Sequence, residues 1–394
     1  MSEYFPQEIL LEILHRLPPK SLVKCTIVCK SWHSLITHPS FIYLHLRHSP
    51  SFLLLQLCNE RPYPNILNYT LRRDDFFLTD SSSVLRLPSN LEREFSVVGI
   101  CNGLVCITSG EECYTLIICN PCVRRYVRLP KPRDYPCLCI ACVGFGFDSR
   151  TLDYKVVRIV CLLDDKRYGL SPPVVEVYSL ATGFWRTLDP AVIPGFCLCC
   201  VGGDDPHGFV DGVVHWGAKR MVGDAWYYFV LSFHFEDEVF VEVVLPESLA
   251  RVSFDYVTVT VVGGGCRKPL TVYHVSGGLP CSCEIWVMKE YGVVESWNKV
   301  FAFNLVGFCL EAPELGTTLT GITGPPAALC VRNNGEVLLL MDEAGWGCLY
   351  SLDVERRRLT NLHIGGAGYT WYLYSSYYAE SLVLLDKTSG LVSY

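Results

Sequence analysis

Cysteine is the residue type in this chain best suited to chemistry, and its spacing points first to metal. Cys119-Asn120-Pro121-Cys122 and Cys139-Ile140-Ala141-Cys142 are two C-x-x-C pairs, with Cys137 close by. Two such pairs make the donor set of a tetrahedral zinc site. Against that reading, Cys119 and Cys122 flank an Asn-Pro turn. Cys139 and Cys142 lie in an apolar, strand-like run, where they point to opposite faces. Cys197, Cys199 and Cys200 form a third cluster, better suited to core or loop packing than to ligation. His207 and His215 have Asp204, Asp205 and Asp211 nearby, the composition of a general base with an orienting acid. Turn capping or strand packing explains them with fewer assumptions. The chain has no H-E-x-x-H, Walker loop, G-x-S-x-G or G-x-G-x-x-G, and Gly144-Phe145-Gly146 lacks the third glycine of a dinucleotide loop. The expectation is a chain without catalytic residues, metal or cofactor.

Composition narrows the partners. The net charge is -7 and only 19% of residues are charged, so the basic field a nucleic-acid groove needs is missing. Half of the 394 residues are hydrophobic, enough for a large core. No apolar run reaches transmembrane length. MSEYFPQE has neither a basic n-region nor an apolar h-region, so a cytoplasmic or nuclear chain is expected. In such a reducing compartment the 21 cysteines stay free and serve mostly as small buried hydrophobes.

Two kinds of element must position whatever the chain binds. From Phe5 to Leu46 the pattern is helical. Ile9, Leu10, Ile13, Leu14 and Leu17 fall on one side of an amphipathic helix, with Pro6 suited to its first position and Glu8 to its dipole. Leu17-Pro18-Pro19-Lys20-Ser21 breaks it. Leu22, Val23, Val28, Cys29, Trp32, Leu35 and Ile36 carry the pattern through two more helical segments to Pro39. So small a unit cannot bury that much apolar surface alone. It must pack on the rest of the chain or on another protein.

The segment resembles the F-box motif, which docks substrate receptors onto the Skp adaptor of SCF ubiquitin ligases. LPPKSL followed by VCKSW is the most specific part of the match. Phe5 replaces a usual Leu, and Cys25-Thr26-Ile27 replaces a more basic stretch. The resemblance implies that Phe5, Pro6, Ile9, Ile13, Leu14, Leu17, Pro18, Leu22, Val28, Cys29, Lys30 and Trp32 are adaptor-binding, partly against the adaptor and partly within the helical unit. The plainer alternative is a helical cap packed only on its own domain.

From about residue 50 the period changes to two. Phe52-Leu53-Leu54-Leu55-Gln56-Leu57 reads as a buried strand. A strand–turn–strand unit then recurs at Thr115–Pro130, Val175–Asp189, Val230–Pro246, Glu284–Phe303 and Gly347–Ile364. Gly208–Ala218 and Glu336–Asp342 read as single strands between them. The spacing of roughly 55–60 residues is near the kelch end of propeller periods. Stacking such sheets radially covers both faces of each. Five hairpins plus a closing unit predict about six blades, with Ser381–Leu385 pairing near residue 52 to close the ring. A β-sandwich is the bland alternative. Trp185, Trp216, Trp286 and Trp297 are expected to pack between blades, and Arg356-Arg357-Arg358 to form a solvated hairpin tip.

This region resembles the F-box-associated domain of plant F-box/kelch-type proteins. CNGLVCI, CNPCVRRYVRLP, GFGFDSRTLDYKVVRIV, VEVYSLATGFWRTL, DGVVHW and EIWVMKEYGVVESW carry the match, in that order. Together the two resemblances imply a small all-α F-box at 1–46, then a mainly-β, β-propeller-like domain at 47–394. They imply a non-catalytic substrate receptor of an SCF-type ubiquitin ligase. Its partners would be the Skp adaptor, through it a cullin and a RING subunit, and a protein target. A narrower reading within the class is a pollen S-locus F-box protein recognising pistil ribonucleases. Rival classes are a glycan-binding F-box protein and a kelch-type oxidase, the latter needing a metal or radical site on the ring axis.

Overall fold

The computed structural model describes residues 6–59, 66–75, 77–79, 95–109, 115–134, 139–162, 173–189, 197–198, 208–210, 212–223, 225–250, 258–262, 270–275, 281–306, 309–312, 317–320, 322, 326–343, 346–365, 369–384 and 392–393. Four short helices come first: α1 (Gln7–His15), α2 (Pro19–Cys25), α3 (Lys30–Ile36) and α4 (Pro39–His48). Three helices, not two, therefore follow the Pro-Pro break. The turn Thr26–Val28 separates α2 from α3, and Pro39 opens a helix instead of ending the unit.

The remainder is antiparallel sheet. Strands β1 (Ser51–Asn59) and β2 (Ile66–Arg72) belong to a first sheet that also holds β26 (Tyr369–Ala379). The second contains β3 (Ser96–Cys101), β4 (Leu104–Ser109), β5 (Thr115–Asn120) and β6 (Arg125–Arg128), with β27 (Val392–Ser393) on its outer edge. The third runs through β7 (Cys139–Asp148), β8 (Asp153–Leu162), β9 (Val174–Ser179) and β10 (Phe184–Thr187). The fourth holds β11 (Cys197–Leu198), β12 (Gly208–Val210), β13 (Val213–Val222), β14 (Ala225–His234) and β15 (Val239–Val244). The fifth has β16 (Thr258–Val262), β17 (Leu270–Val275), β18 (Cys281–Met288), β19 (Trp297–Val306), β20 (Cys309–Ala312) and β21 (Thr317–Thr320). The sixth comprises β22 (Ala327–Val331), β23 (Val337–Glu343), β24 (Trp346–Asp353) and β25 (Arg358–Gly365). All five expected hairpins are present, as β5–β6, β9–β10, β14–β15, β18–β19 and β24–β25.

These six sheets, among the described residues, form a ring. Inner strands touch in the order β26, β3, β7, β13, β16, β22 and back to β26. Each pair of neighbouring sheets shares its own apolar core. Leu53 and Leu55 face the sixth sheet, while Leu54 faces the second. Val156 and Val160 face the second, while Val157 and Ile159 face the fourth. Successive side chains on a strand point to opposite faces. A blade buried on both sides therefore needs the unbroken apolar runs that this chain carries.

Two sequence expectations are corrected here. The strand that closes the ring on β1 is Tyr369–Ala379, with Ser51 opposite Ala379, and not Ser381–Leu385. Residues 381–384 leave the sheet, and Leu385 lies outside the described residues. Gly208–Ala218 is not one strand but the hairpin β12–β13, because Gly212 turns the chain at φ +81°. The two C-x-x-C pairs do not converge: Cys119 lies in the core between the first and second sheets, Cys142 in that between the third and fourth. Cys137, Cys199, Cys200, His207, Asp204, Asp205 and Asp211, and the side chain of Cys139, lie outside the described residues.

Gly144 of the Gly-Phe-Gly run serves packing. A Cβ there would come within 2.7 Å of the Trp216 ring and 3.0 Å of Val157. Trp216 and Trp297 are buried between blades, and Trp185 and Trp286 are half-buried, Trp185 against the core between the second and third sheets and Trp286 against the one that holds Trp297. His215 is fully buried, with Nε2 2.8 Å from the Tyr291 hydroxyl, so it ties the fourth sheet to the fifth instead of facing a cavity.

Candidate docking surface

The helical unit starts with proline geometry. Pro6 is the N-cap residue of α1, one position before the first turn, and Glu8 sits in that turn. Pro18 caps α2 and Pro19 is its first residue, where a missing N–H costs nothing. Cys29 caps α3, its Sγ accepting from the Trp32 amide at 3.4 Å. His45 of α4 reaches back with Nε2 2.8 Å from the Leu17 carbonyl, satisfying an orphan acceptor at the end of α1. His15 stacks on Phe41 at 4.4 Å. Burial, and then the neighbouring His45 and His48, lower the pKa of His15, with Glu12 opposing.

Leu14, Leu22, Ile36, Phe41 and Ile42 close the core of the unit, with Leu10, Leu11, Leu17, Val23, Cys25 and Trp32 packed around them. Leu382, from the far end of the chain, sits in the same core. Leu14 and Leu22 have no exposed surface. They belong to the part of the expected set that packs within the helical unit and holds the helices together. Leu17 and Trp32 are half-buried. Phe5 lies outside the described residues.

The rest of the expected set faces outward. Pro6, Ile9, Ile13, Pro18, Val28, Cys29 and Lys30 are all exposed. Ile9 is 48% exposed and Ile13 49%, one turn apart on α1, while Leu10 and Leu14 point inward. A shallow open hollow of about 300 Å³ lies here, lined by Glu8, Ile9, Glu12, Ile13 and Arg16. Arg16 pairs with Glu12 at 2.7 Å on its rim. Val28 is 61% exposed and its neighbour Ile27 87%, at the tip of the α2–α3 turn.

Sequence reasoning missed Ile27, together with Tyr43 and Leu44 of α4, which are also exposed. The available signal was phase. Ile27 falls in the break between α2 and α3, where no helical face can turn it inward. Six large apolar side chains stand in solvent on one small unit, the kind of surface that partners cover. They offer apolar area framed by the charges of Glu8, Glu12 and Arg16.

A half-open hollow of the ring, about 360 Å³, lies among the turns at Asn102, Ser149, Gly212 and Glu236. Among the described residues no three His, Cys, Asp or Glu side chains cluster as metal ligands, and no helix is long and apolar enough to cross a membrane.

Comparison with known proteins bears on both parts. A family model described as F-box associated beta propeller domain matches residues 67–385, and one described as F-box-like matches residues 3–48. F-box protein At3g07870 of Arabidopsis thaliana is 28% identical over 366 residues, 86% of this chain and 82% of that protein. F-box protein CPR1 of the same plant is 29% identical over 315 residues, 75% and 72% of the two chains. Among solved structures, puromycin hydrolase superposes with a TM-score of 0.41 at 12% identity, over 68% of this chain and 39% of that one.

Proposed function

The chain belongs to the F-box proteins that carry an F-box associated β-propeller domain, and from that premise we propose that it is the substrate-recognition subunit of an SCF-type ubiquitin ligase. Its helical unit docks on the Skp adaptor, and through the adaptor on a cullin and a RING subunit, in the cytoplasm or nucleus. Its ring holds a protein target. The chain breaks and forms no bond itself. By holding target and charged ubiquitin carrier in one complex, it turns lysine attack on the thioester into an effectively intramolecular step.

One observation carries the reading. The helical core is closed, with Leu382 from the far end of the chain in it, and Ile9, Ile13, Ile27 and Val28 are still left exposed. Fully burying side chains of that size is worth about 1.5–3 kcal/mol each, and Ile9 and Ile13, half covered already, have about half of that left to contribute. Purified chain should form a stoichiometric complex with a purified Skp-type adaptor on size exclusion. The Ile9→Asp/Ile13→Asp variant should lose that complex while remaining folded, since both side chains are half exposed and lie outside the helical core. A parent chain that ignores the adaptor, or a variant that binds as well as the parent, refutes the docking surface.

A further inference from the structure

Beyond the last ring-closing strand, the chain makes five consecutive contacts that belong to neither part alone. Glu380 pairs with Lys20 of α2 at 2.7 Å. The Ser381 carbonyl and hydroxyl oxygens each accept from Asn120 Nδ2 at 3.1 Å. Leu382 is 1% exposed and fills the helical core beside Leu14, Leu22 and Phe41. Val383 packs on that core and also on the one between the second and third sheets, and its carbonyl accepts from Asn120 Nδ2 at 2.7 Å. Leu384 is buried in the ring, and its carbonyl accepts from Arg125 at 3.1 Å.

We infer that residues 380–384 are a strap that fixes the orientation of the helical unit on the ring, with Asn120 as its positioning residue. Asn120 is fully buried at the end of β5 and uses both ends of its amide. Its oxygen accepts from the Cys122 amide at 2.9 Å and shapes the turn. Its nitrogen grips the strap. Carbonyls taken out of water need such a donor. That turn also sends Val123 into the helical core. Burial, and then the charge of Glu380, push the Cys122 thiol up to about 12, so it stays a neutral packing group under the strap. Without the strap, the described attachments include the covalent joint at Ser49 and Pro50, between α4 and β1, and the Val123 side chain against the helical core. A joint and one apolar contact permit pivoting; the strap removes it. The consequence for ubiquitin transfer rests on the proposed ligase role: adaptor and target would stand at a set separation.

The test is single-molecule energy transfer on the full chain, with dyes on non-natural residues at Ser34 of α3 and at Lys289, just past β18 of the fifth sheet, both exposed. The parent should give one narrow distribution. Leu382→Ala should broaden it, and so should Asn120→Asp, which keeps the turn's acceptor and loses the donor. Both are buried changes. The fold-safe version is therefore Lys20→Glu at a half-exposed position, which should broaden the distribution, with Glu380→Lys added to restore it. A structural role in stability alone would lower the melting temperature and leave the distribution narrow. An unchanged narrow distribution in the folded variants, or no restoration by the charge swap, overturns the strap. The measurement needs no adaptor, so a chain that fails to bind one refutes the ligase reading separately.

Discussion

Arg332 Nε lies 3.0 Å from Asp74 Oδ1, and this pair spans the closure of the ring. Asp74 follows β2 of the first sheet, while Arg332 follows β22 of the sixth. The same guanidinium donates to Glu336 and to Ser351, each at 2.8 Å, and to the Asp75 carbonyl. Tyr377 of β26 donates its hydroxyl to Asp74, which also accepts from the Asn333 amide. Burial, and then that hydrogen bond to a carboxylate, drive the Tyr377 pKa far upward, so it remains a donor. Arg332 is fully buried. Arg332→Met strands a buried carboxylate, and breaking such a pair costs about 3–5 kcal/mol. Urea denaturation should show that loss, and Asp74→Asn added to Arg332→Met should recover part of it.

Neighbouring residues on α1 should separate stability from binding. Leu14→Ala opens a cavity in the helical core, at a cost of about 2–5 kcal/mol. Ile13→Ala, one residue away and half in water, should change stability by no more than about 0.5 kcal/mol. Calorimetric titration with the adaptor should reverse the ranking for protein that remains folded: Ile13→Ala weakens binding directly, while Leu14→Ala acts only through the unfolded fraction.

Gly103 closes the β3–β4 turn at φ +77°, and a Cβ there would stand 2.4 Å from Ser381 Oγ and 2.5 Å from the Ala379 carbonyl. Alanine is penalised twice, by the left-handed backbone and by the collision. Gly103→Ala should cost more than about 1 kcal/mol. In hydrogen exchange, faster exchange should be concentrated at residues 379–384. Uniform loosening across the whole ring would contradict this.

Acid should act through Asp148. Burial raises its pKa, but hydrogen bonds from Lys155 and Thr151 and the charge of Lys155 outweigh that and hold it at about 2, below its ordinary 3.8. Its carboxylate accepts from Lys155 at 2.6 Å, and Lys155 also pairs with Glu238 at 2.8 Å, joining the third sheet to the fourth. A folded pKa below the unfolded one gives stability that is complete above 3.8 and is lost as pH falls toward 2. Asp148→Asn should therefore be less stable than the parent at pH 7, and the gap should narrow as pH drops through that window. Denaturant midpoints across the range read this directly, and a gap independent of pH would refute it.

Much of this architecture was legible because period and punctuation are local. The hairpins at Thr115–Pro130 and Val175–Asp189 declare themselves by alternating apolar residues around Asn-Pro and Thr-Gly turns. The outward face at Ile9 and Ile13 came from the F-box resemblance; helical phase alone grouped them with Leu10 and Leu14, which point inward. What stayed hidden depends on distant partners. Ser381–Leu385 looks like a strand because its apolar residues suit one, yet Leu382 and Leu384 are taken up by different cores. Leu14 and Ile13 are both aliphatic members of one helix, and their different burial is decided by α2, α3, α4 and the strap. Arg332 gave no sign of its role, since its partners are chosen by tertiary proximity.

The closing pairs also impose an order on biosynthesis. A ribosome releases the helices first, but Leu382, which completes their core, emerges hundreds of residues later, shortly after the strand that pairs with β1. Until then the nascent chain carries Leu53, Leu54 and Leu55 on a strand still waiting for its neighbour, an invitation to aggregation that holdase chaperones exist to meet. A product truncated before residue 369 has neither ring closure nor a filled helical core, so premature termination leaves both parts incomplete at once.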